Sequence, residues 1–289
     1  MPKSKLTVAD TLYAKQLYLE KGIPLREIAD RFNVSRPTVG EALRRQGLTL
    51  RKKTVTPNLF EVTEGVLEVL DGLLLGDGCL HIQRPRGRTP WYVMRQSKAQ
   101  RPWVDSVRET FCQVGIECSL REVTVNVGLP GALESCSEVV VLQTKCYRDF
   151  GPVYSRWYPS HTKRVPTGLK ITDRVLAHWF WGDGTFTRRK NGQQLLGFCT
   201  HGFTFEEVGL LSDILLSTYG WHCRVNRCKR LQKDGRVVFQ PVLRLNRQAE
   251  VKELLSVVRP YEPGCFQYKL GVGDPPSRRR RKHERCKEE

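Results

Sequence analysis

Twice in this chain an apolar run of helical length ends in Gly-Asp-Gly. The first is LEVLDGLLLGDGCL, residues 67–80; the second is RVLAHWFWGDGTF, residues 174–186. Apolar side chains on so many sides leave little surface for water, so each run must be buried as a helix. The two Asp-Gly steps lie 106 residues apart, and the segments downstream of them are alike. After the first come a strand WYVMRQS, a helix WVDSVRETFCQVG, strands IECSLREVTVNVG and EVVVLQT, and a helix YRDFGPVYSRWY. After the second come LLGFCTHG, a helix FEEVGLLSDILLSTYG, strands WHCRVNRCKR and RVVFQPVLRLN, and a helix AEVKELLSVVRPY. With a short strand directly after each Gly-Asp-Gly, both units read αββαββα. The expectation is a duplicated α+β fold, with halves at 59–166 and 167–273 packed about a pseudo-two-fold axis.

Burial of these two helices constrains their ends. Gly72 and Gly76 are four residues apart on one helical face. Without Cβ atoms they let another backbone approach closely. If the two helices pack on each other, Asp77 and Asp183 come side by side. The C-terminal end of a helix is a poor place for an anion, and two neighbouring carboxylates repel. The arrangement makes sense if divalent cations neutralise them, and hard cations such as Mg²⁺ prefer carboxylate oxygen. Asp77 and Asp183, with the adjoining Gly76 and Gly182, are the expected metal-holding set, for Mg²⁺ or Mn²⁺ in its place. Lys163 stands 86 residues after Asp77, and Lys269 stands 86 residues after Asp183. Each half would thus carry one carboxylate and one ammonium. A metal can activate water against a phosphodiester, and a lysine can offset transition-state charge or orient that water. One such centre per half gives two cuts, one per strand. A single Asp-Gly after an apolar helix is an ordinary turn signal; two copies at equivalent places in a duplicated unit say more.

Charge agrees with a phosphate-bearing partner. The chain has 48 Lys and Arg against 30 Asp and Glu, a net charge of +18. Such an excess favours a polyanion, because each cation near a phosphate releases condensed counterions. A membrane surface is the other common polyanion, but no apolar run approaches the roughly 18 residues that span a bilayer. The start, MPKSKLTVAD, lacks the apolar stretch of a secretion signal, so the expected location is the cytoplasm or an organelle matrix. Among ten cysteines there is no C-x-x-C pair. Neither Cys223 and Cys228 with His222, nor Cys199 with His201, has the spacing of a structural zinc site, and reduced thiols are expected.

Ahead of the duplicated region, residues 1–48 read as a separate all-α domain. Leu12, Leu17 and Leu19 give the first helix an apolar side, and Gly22 ends it. Leu25, Ile28, Ala29 and Phe32 mark a second helix, Asn33-Val34 a turn, and Ser35 the cap of a third that carries Pro37 in its first turn. Val39, Ala42 and Leu43 face inward there, while Arg36, Thr38, Glu41, Arg44 and Arg45 face out. The segment resembles the helix-turn-helix of resolvases and many small regulators. That resemblance implies a third helix in the major groove, with Arg36 and Thr38 at base edges and Arg44 nearby. Residues 49–58 read as a basic linker in which Arg51, Lys52 and Lys53 could track a phosphate backbone. Residues 274–289, with the run SRRRRKHERCKEE, read as a disordered basic tail.

LDGLLLGDG and LAHWFWGDG resemble the paired motifs of the LAGLIDADG homing endonucleases. The second fits the branch whose motif runs L-A-x-W-F-x-x-D-G, and THGFTFEEVGLL at 200–211, the step Lys163 to Pro166, and Tyr268 to Leu270 are similar to that branch as well. The resemblance covers about residues 60–272. It implies two halves forming a saddle of antiparallel strands over double-stranded DNA, Mg²⁺-dependent cleavage of both strands with short 3′ overhangs, and a single-chain monomer. By motif position Asp77 and Asp183 correspond to the metal-binding acids, and Lys163 and Lys269 to the basic residues of the active sites. Asp71 replaces a usual small residue and His178 a usual glycine, and both are expected to loosen helix packing.

Base-reading side chains are expected at alternate strand positions. Candidates are Arg84, Arg86, Arg88, Arg95, Lys98, Arg121, Arg188, Arg189, Lys190, Arg224, Arg227, Arg230 and Arg244. Competing readings are a non-cutting relative, as an RNA splicing maturase with intron RNA as partner or as a transcriptional regulator, and an RNA-processing enzyme. The retained acids argue against the non-cutting forms. A nuclease embedded in an intein is disfavoured by Met1 and by a C-terminus without a His-Asn step.

Overall fold

Thr7 opens the first helix of the protein: its hydroxyl accepts the backbone N–H of Asp10, whose carboxylate takes the N–H of Thr7 in return. The computed structural model describes residues 6–50, 58–83, 89–126, 136–231 and 234–273. Its contacts divide the chain into two units, Met1–Thr56 and Pro57–Glu289.

The first unit holds α1 (Val8–Leu19), α2 (Leu25–Arg31) and α3 (Arg36–Arg45). Asn33 takes a positive φ of 50° in the turn between α2 and α3, and Ser35 caps α3 through the N–H of Thr38. Ala14, Leu17, Tyr18, Ile28, Ala29, Val34, Val39 and Leu43 form its own small core. The inward side of α1 differs from the expectation. Thr11, Ala14, Leu17 and Tyr18 are buried, whereas Leu12 and Leu19 are 54% and 51% exposed. At 3.6 residues per turn Leu12 and Leu19 share a stripe with the exposed Val8, away from the stripe of Ala14, Leu17 and Tyr18.

The second unit runs α4 (Glu64–Leu75), β1 (Cys79–His81), β2 (Trp91–Ser97), α5 (Arg101–Gln113), β3 (Cys118–Asn126), β4 (Cys136–Thr144) and α6 (Phe150–Trp157). The order then repeats as α7 (Asp173–Asp183), β5 (Gly184–Arg188), β6 (Gln194–Phe198), α8 (Phe205–Tyr219), β7 (Arg224–Leu231), β8 (Val237–Leu245) and α9 (Gln248–Val258). This is the expected αββαββα in duplicate. Two antiparallel four-stranded sheets result, ordered β1-β2-β4-β3 and β5-β6-β8-β7. Pro241 is tolerated inside β8 because β6 pairs with β8 only from Leu243 to Leu245, so its missing N–H breaks no ladder bond to β6.

Each sheet has one covered face and one open face. Leu80, Tyr92, Met94 and Leu142 in the first half, and Leu196, Phe198, Leu243 and Leu245 in the second, join one continuous core with the helices. Residues at the alternate positions point the other way. At the centre lie α4 and α7. The run Leu70, Asp71, Gly72, Leu73, Leu74, Leu75 is buried without a break, as is Trp179-Phe180-Trp181. Burying a large apolar side chain contributes roughly 1.5–3 kcal/mol, so this pair of helices anchors both halves. No described helix is long and apolar enough to cross a membrane.

Candidate active site

The site is set by how closely α4 and α7 meet. A methyl group on Gly76 would lie 3.5 Å from the Cα of Gly182, and one on Gly182 would lie 3.5 Å from the Cα of Gly76. The helix ends therefore touch backbone to backbone, and Asp77 and Asp183 follow directly. The carboxyl of Asp183 is pushed up to about 7, by burial first and by the charge of Asp77 second, with Lys163 and Lys269 opposing. The half-buried carboxyl of Asp183 thus feels the charge of the exposed Asp77 beside it.

Lys163 and Lys269 reach the carbonyls at the two helix ends. The Nζ of Lys163 donates to the carbonyls of Gly76 at 3.0 Å and Gly78 at 2.9 Å. That of Lys269 donates to the carbonyls of Phe180 at 3.1 Å, Trp181 at 2.7 Å and Gly182 at 3.3 Å. A helix leaves its last carbonyls without partners, and a cation there also suits the helix dipole. Both ammonium groups are pulled down to about 8 by burial, which the charges of Asp77 and Asp183 oppose. The equal offset of the two lysines thus corresponds to equivalent positions in space.

One polar group at the site went unread in the sequence. Gln96 donates from Nε2 to Asp77 Oδ2 at 2.9 Å. Its signal is parity: Tyr92, Met94 and Gln96 alternate along β2 on the covered face, and a buried amide on an apolar row asks for a partner. The pairs Cys79–Val93 and Thr185–Gly197 align the two halves and make Thr200 the counterpart of Gln96. Thr200 donates instead to the carbonyl of Pro241 at 3.0 Å.

The two departures from the motif do not loosen the helices. Asp71 is buried and accepts from the guanidinium of Arg156 and, at 2.8 Å, from Trp157 Nε1. Burial raises its carboxyl, which Trp157 and Arg156 oppose. His178 lies opposite Gly72, where the absence of a side chain makes room for it, and Trp103 Nε1 donates to its Nδ1 at 3.5 Å.

The candidate DNA-contacting cations separate by sheet face. Arg95, Arg121, Arg224, Arg230 and Arg244 stand on the open faces, opposite in parity to the core residues. Arg188 and Arg227 fall on the covered side. Arg188 shares the strand parity of Phe186, and the guanidinium of Arg227 lies over the rings of Phe205 and Phe239, at 5.3 and 5.4 Å. Lys98 is held by Glu138 at 3.1 Å and Glu122 at 3.2 Å. Arg189 lies in the β5–β6 turn and donates to Gln193 at 3.1 Å. In the first unit Arg36 and Arg44 are exposed and Thr38 is half-buried against Ser35. Arg51, Lys52, Lys53, Arg84, Arg86, Arg88 and the tail 274–289 lie outside the described residues.

Could this place hold a divalent cation? Among the described residues no cluster of three or more His, Cys, Asp or Glu is arranged to hold one. Mg²⁺, however, is commonly held by one or two carboxylates together with substrate phosphates and waters. Asp77 and Asp183 supply two hard oxygen ligands, and the mutual repulsion that raises Asp183 is what a cation would relieve.

Comparison with known proteins places the chain among its relatives. The chain is 29% identical to an uncharacterized protein of Methanocaldococcus jannaschii over 255 residues, 88% of this chain and 92% of that one. It is 24% identical to the intron-encoded endonuclease ai4 of Dictyostelium discoideum over 134 residues, 45% of this chain and 75% of that one. Its fold matches the solved homing endonuclease I-WcaI bound to its DNA recognition sequence, with a TM-score of 0.58 at 20% identity, over 80% of this chain and 98% of the other. Residues 67–249, which span both Gly-Asp-Gly helices and both sheets, match the LAGLIDADG DNA endonuclease family, and the chain belongs to that family.

Proposed function

We propose that the protein is a site-specific homing endonuclease that cuts both strands of double-stranded DNA with Mg²⁺, or Mn²⁺ in its place, and promotes the mobility of its own gene. One observation carries the reading: Asp77 and Asp183 meet at the junction of α4 and α7, with a lysine bound to the carbonyls of each helix end. A bound divalent cation would neutralise the scissile phosphate and activate water for its hydrolysis. The remaining work falls to this chain. Asp77 and Asp183 hold the cations. Lys163 and Lys269, poised at about 8, can take or return a proton near neutral pH. Gln96 keeps the Asp77 carboxylate oriented. The open sheet faces, with Arg95, Arg121, Arg224, Arg230 and Arg244, lie along the major groove, and a single chain supplies both halves.

For the first unit we read a helix-turn-helix module, with α3 presenting Arg36, Thr38 and Arg44 to DNA. Support comes from the Ser35 cap and from its basic exposed surface. The solved relative was bound to its DNA recognition sequence and another relative is intron-encoded, which fits this proposal. The deciding experiment incubates the purified protein with a randomised duplex library, with and without Mg²⁺, and sequences the broken ends. Enrichment of one long site that is cut on both strands only with the metal is the expected outcome. Intact DNA under every condition would remove the nuclease reading.

A further inference from the structure

One row of the open face in the second half runs Thr185, Gly197, Arg244, Arg224, from β5 through β6 and β8 to β7. Its last two members are arginines directly opposite each other on neighbouring strands. Like charges so placed, with Cβ atoms about 5 Å apart, destabilise a sheet. Nothing nearby compensates: among the described residues after β5, the arginines in ion pairs are Arg236 with Asp234 and Arg247 with Glu250. On the other flank of Arg244 stands Gly197, where a methyl group would lie 3.2 Å from Thr185 Oγ1 and 3.5 Å from Arg244 Cδ. The bare glycine leaves room for the stem of Arg244. Two arginines paired across neighbouring strands, neither in an ion pair among the described residues, form an arrangement that an external acceptor would relieve.

The equivalent row of the first half reads Cys79, Val93, Gln143, Ser119. It carries no charge. Gln143 stands where the second half has Arg244, and Ser119 where it has Arg224.

Arginine matches O6 and N7 of guanine with two parallel N–H donors, whereas a side-chain amide matches adenine. Side chains about 5 Å apart at their bases can converge on base pairs stacked about 3.4 Å apart. We infer that Arg224 and Arg244 are specificity determinants that read guanines at neighbouring base pairs, in the half-site under residues 167–273. The half-site under the first half lacks this guanine pair. The inference rests on the proposed reading of the open faces as DNA-facing.

The test uses the full-length protein and a randomised duplex library at one fixed salt concentration. Sites are selected with wild type, Arg224→Ala, Arg244→Ala and Arg244→Gln. Wild type should enrich a site with adjacent guanines in one half only. Each alanine variant should lose about tenfold or more of the preference at one of those guanines and keep the rest of the profile. Arg244→Gln should move that preference from guanine to adenine, a gain that misfolding does not produce. An unchanged profile overturns the inference while leaving the endonuclease reading intact. Equal weakening on all sequences does the same, since it marks phosphate contacts. If wild type enriches no sequence, the DNA-reading role of the open faces fails and this inference fails with it.

Discussion

Gly72 and His178 face each other where α4 crosses α7: a methyl group on Gly72 would lie 2.7 Å from the Cβ of His178 and 2.5 Å from the carbonyl oxygen of Val175. The two occupy equivalent positions in the duplicated motif, so one half gives up its side chain to admit the other's. Gly72→Ala must therefore push one helix backbone away from the other. Overpacking of this kind costs about 1–3 kcal/mol. Gly76→Ala meets its nearest neighbour at an ordinary 3.5 Å and should leave stability within about 0.5 kcal/mol. Denaturant unfolding of the two variants beside wild type measures the contrast, and equal stabilities would mean that the crossing is not as close as described.

His178 also gives stability a pH dependence of known sign. Burial pulls its imidazole down from 6.5 to about 4, with the charge of Arg174 adding to the effect. Above pH 6.5 the ring is neutral whether the chain is folded or not. As pH falls from 6.5 towards 4, the unfolded chain binds a proton that the folded chain refuses, so stability is lost across that window. The loss reaches about 3 kcal/mol at the lower end. Asp71 and Asp183, both raised, act in the opposite direction, so the comparison must be with His178→Gln rather than with wild type alone. Unfolding free energies at several pH values between about 7 and about 4 should show the extra slope in wild type and not in the variant.

Much of this was legible in the sequence, for physical reasons. A largely buried helix needs apolar side chains on most of its sides, so α4 and α7 announced themselves. Their glycines and the common offset of Lys163 and Lys269 then pointed to the candidate site. What escaped depends on parity or on packing choice. Gln96 is found only once β2 is known to turn Tyr92 and Met94 inward. A shift of one residue in strand register moves a side chain to the other face, and that decides why Arg224 and Arg244 are open while Arg188 and Arg227 lie against the covered side. In α1 Leu12 and Leu19 outrank Ala14 in hydrophobicity, yet Ala14 lies on the buried stripe with Thr11, Leu17 and Tyr18 and they do not.

The two aspartates should separate binding from chemistry. Asp77→Asn and Asp183→Asn keep side-chain size and remove a proposed cation ligand, so each should lower cleavage about 100-fold or more while target binding persists. Asp183→Asn should also stabilise the protein without metal, because its carboxyl, raised to about 7, disfavours the folded state at neutral pH. Mg²⁺ should raise the melting temperature of wild type more than that of this variant. Wild-type cleavage by either variant would remove that aspartate from the site.

Gln96 offers a finer test, because its counterpart Thr200 is turned to Pro241. Among the described residues an amide reaches the carboxylate of Asp77 and none reaches that of Asp183. Gln96→Ala should slow cleavage about tenfold, within the range seen when a ligand-orienting partner is removed. One strand of the duplex should slow more than the other. Strand-specific end labels on a cloned target give the two rates separately, and equal slowing of both strands would show that Gln96 serves the centres in common.

The N-terminal unit has its own core of Ala14, Leu17, Ile28, Val39 and Leu43, and the second unit has a separate, larger one. Removing residues 1–50 should therefore leave the second unit folded and its chemistry in place. Affinity should fall, because Arg36, Arg44 and their neighbours would no longer neutralise phosphates. Each lost phosphate contact also reduces the slope of log K against log salt by about 0.9. Binding titrations over a salt series distinguish the possibilities. A truncated protein with weaker binding, a shallower slope and intact Mg²⁺-dependent cutting fits a DNA-reading module. One with the full-length affinity and slope would show that these three helices take no part in holding the target.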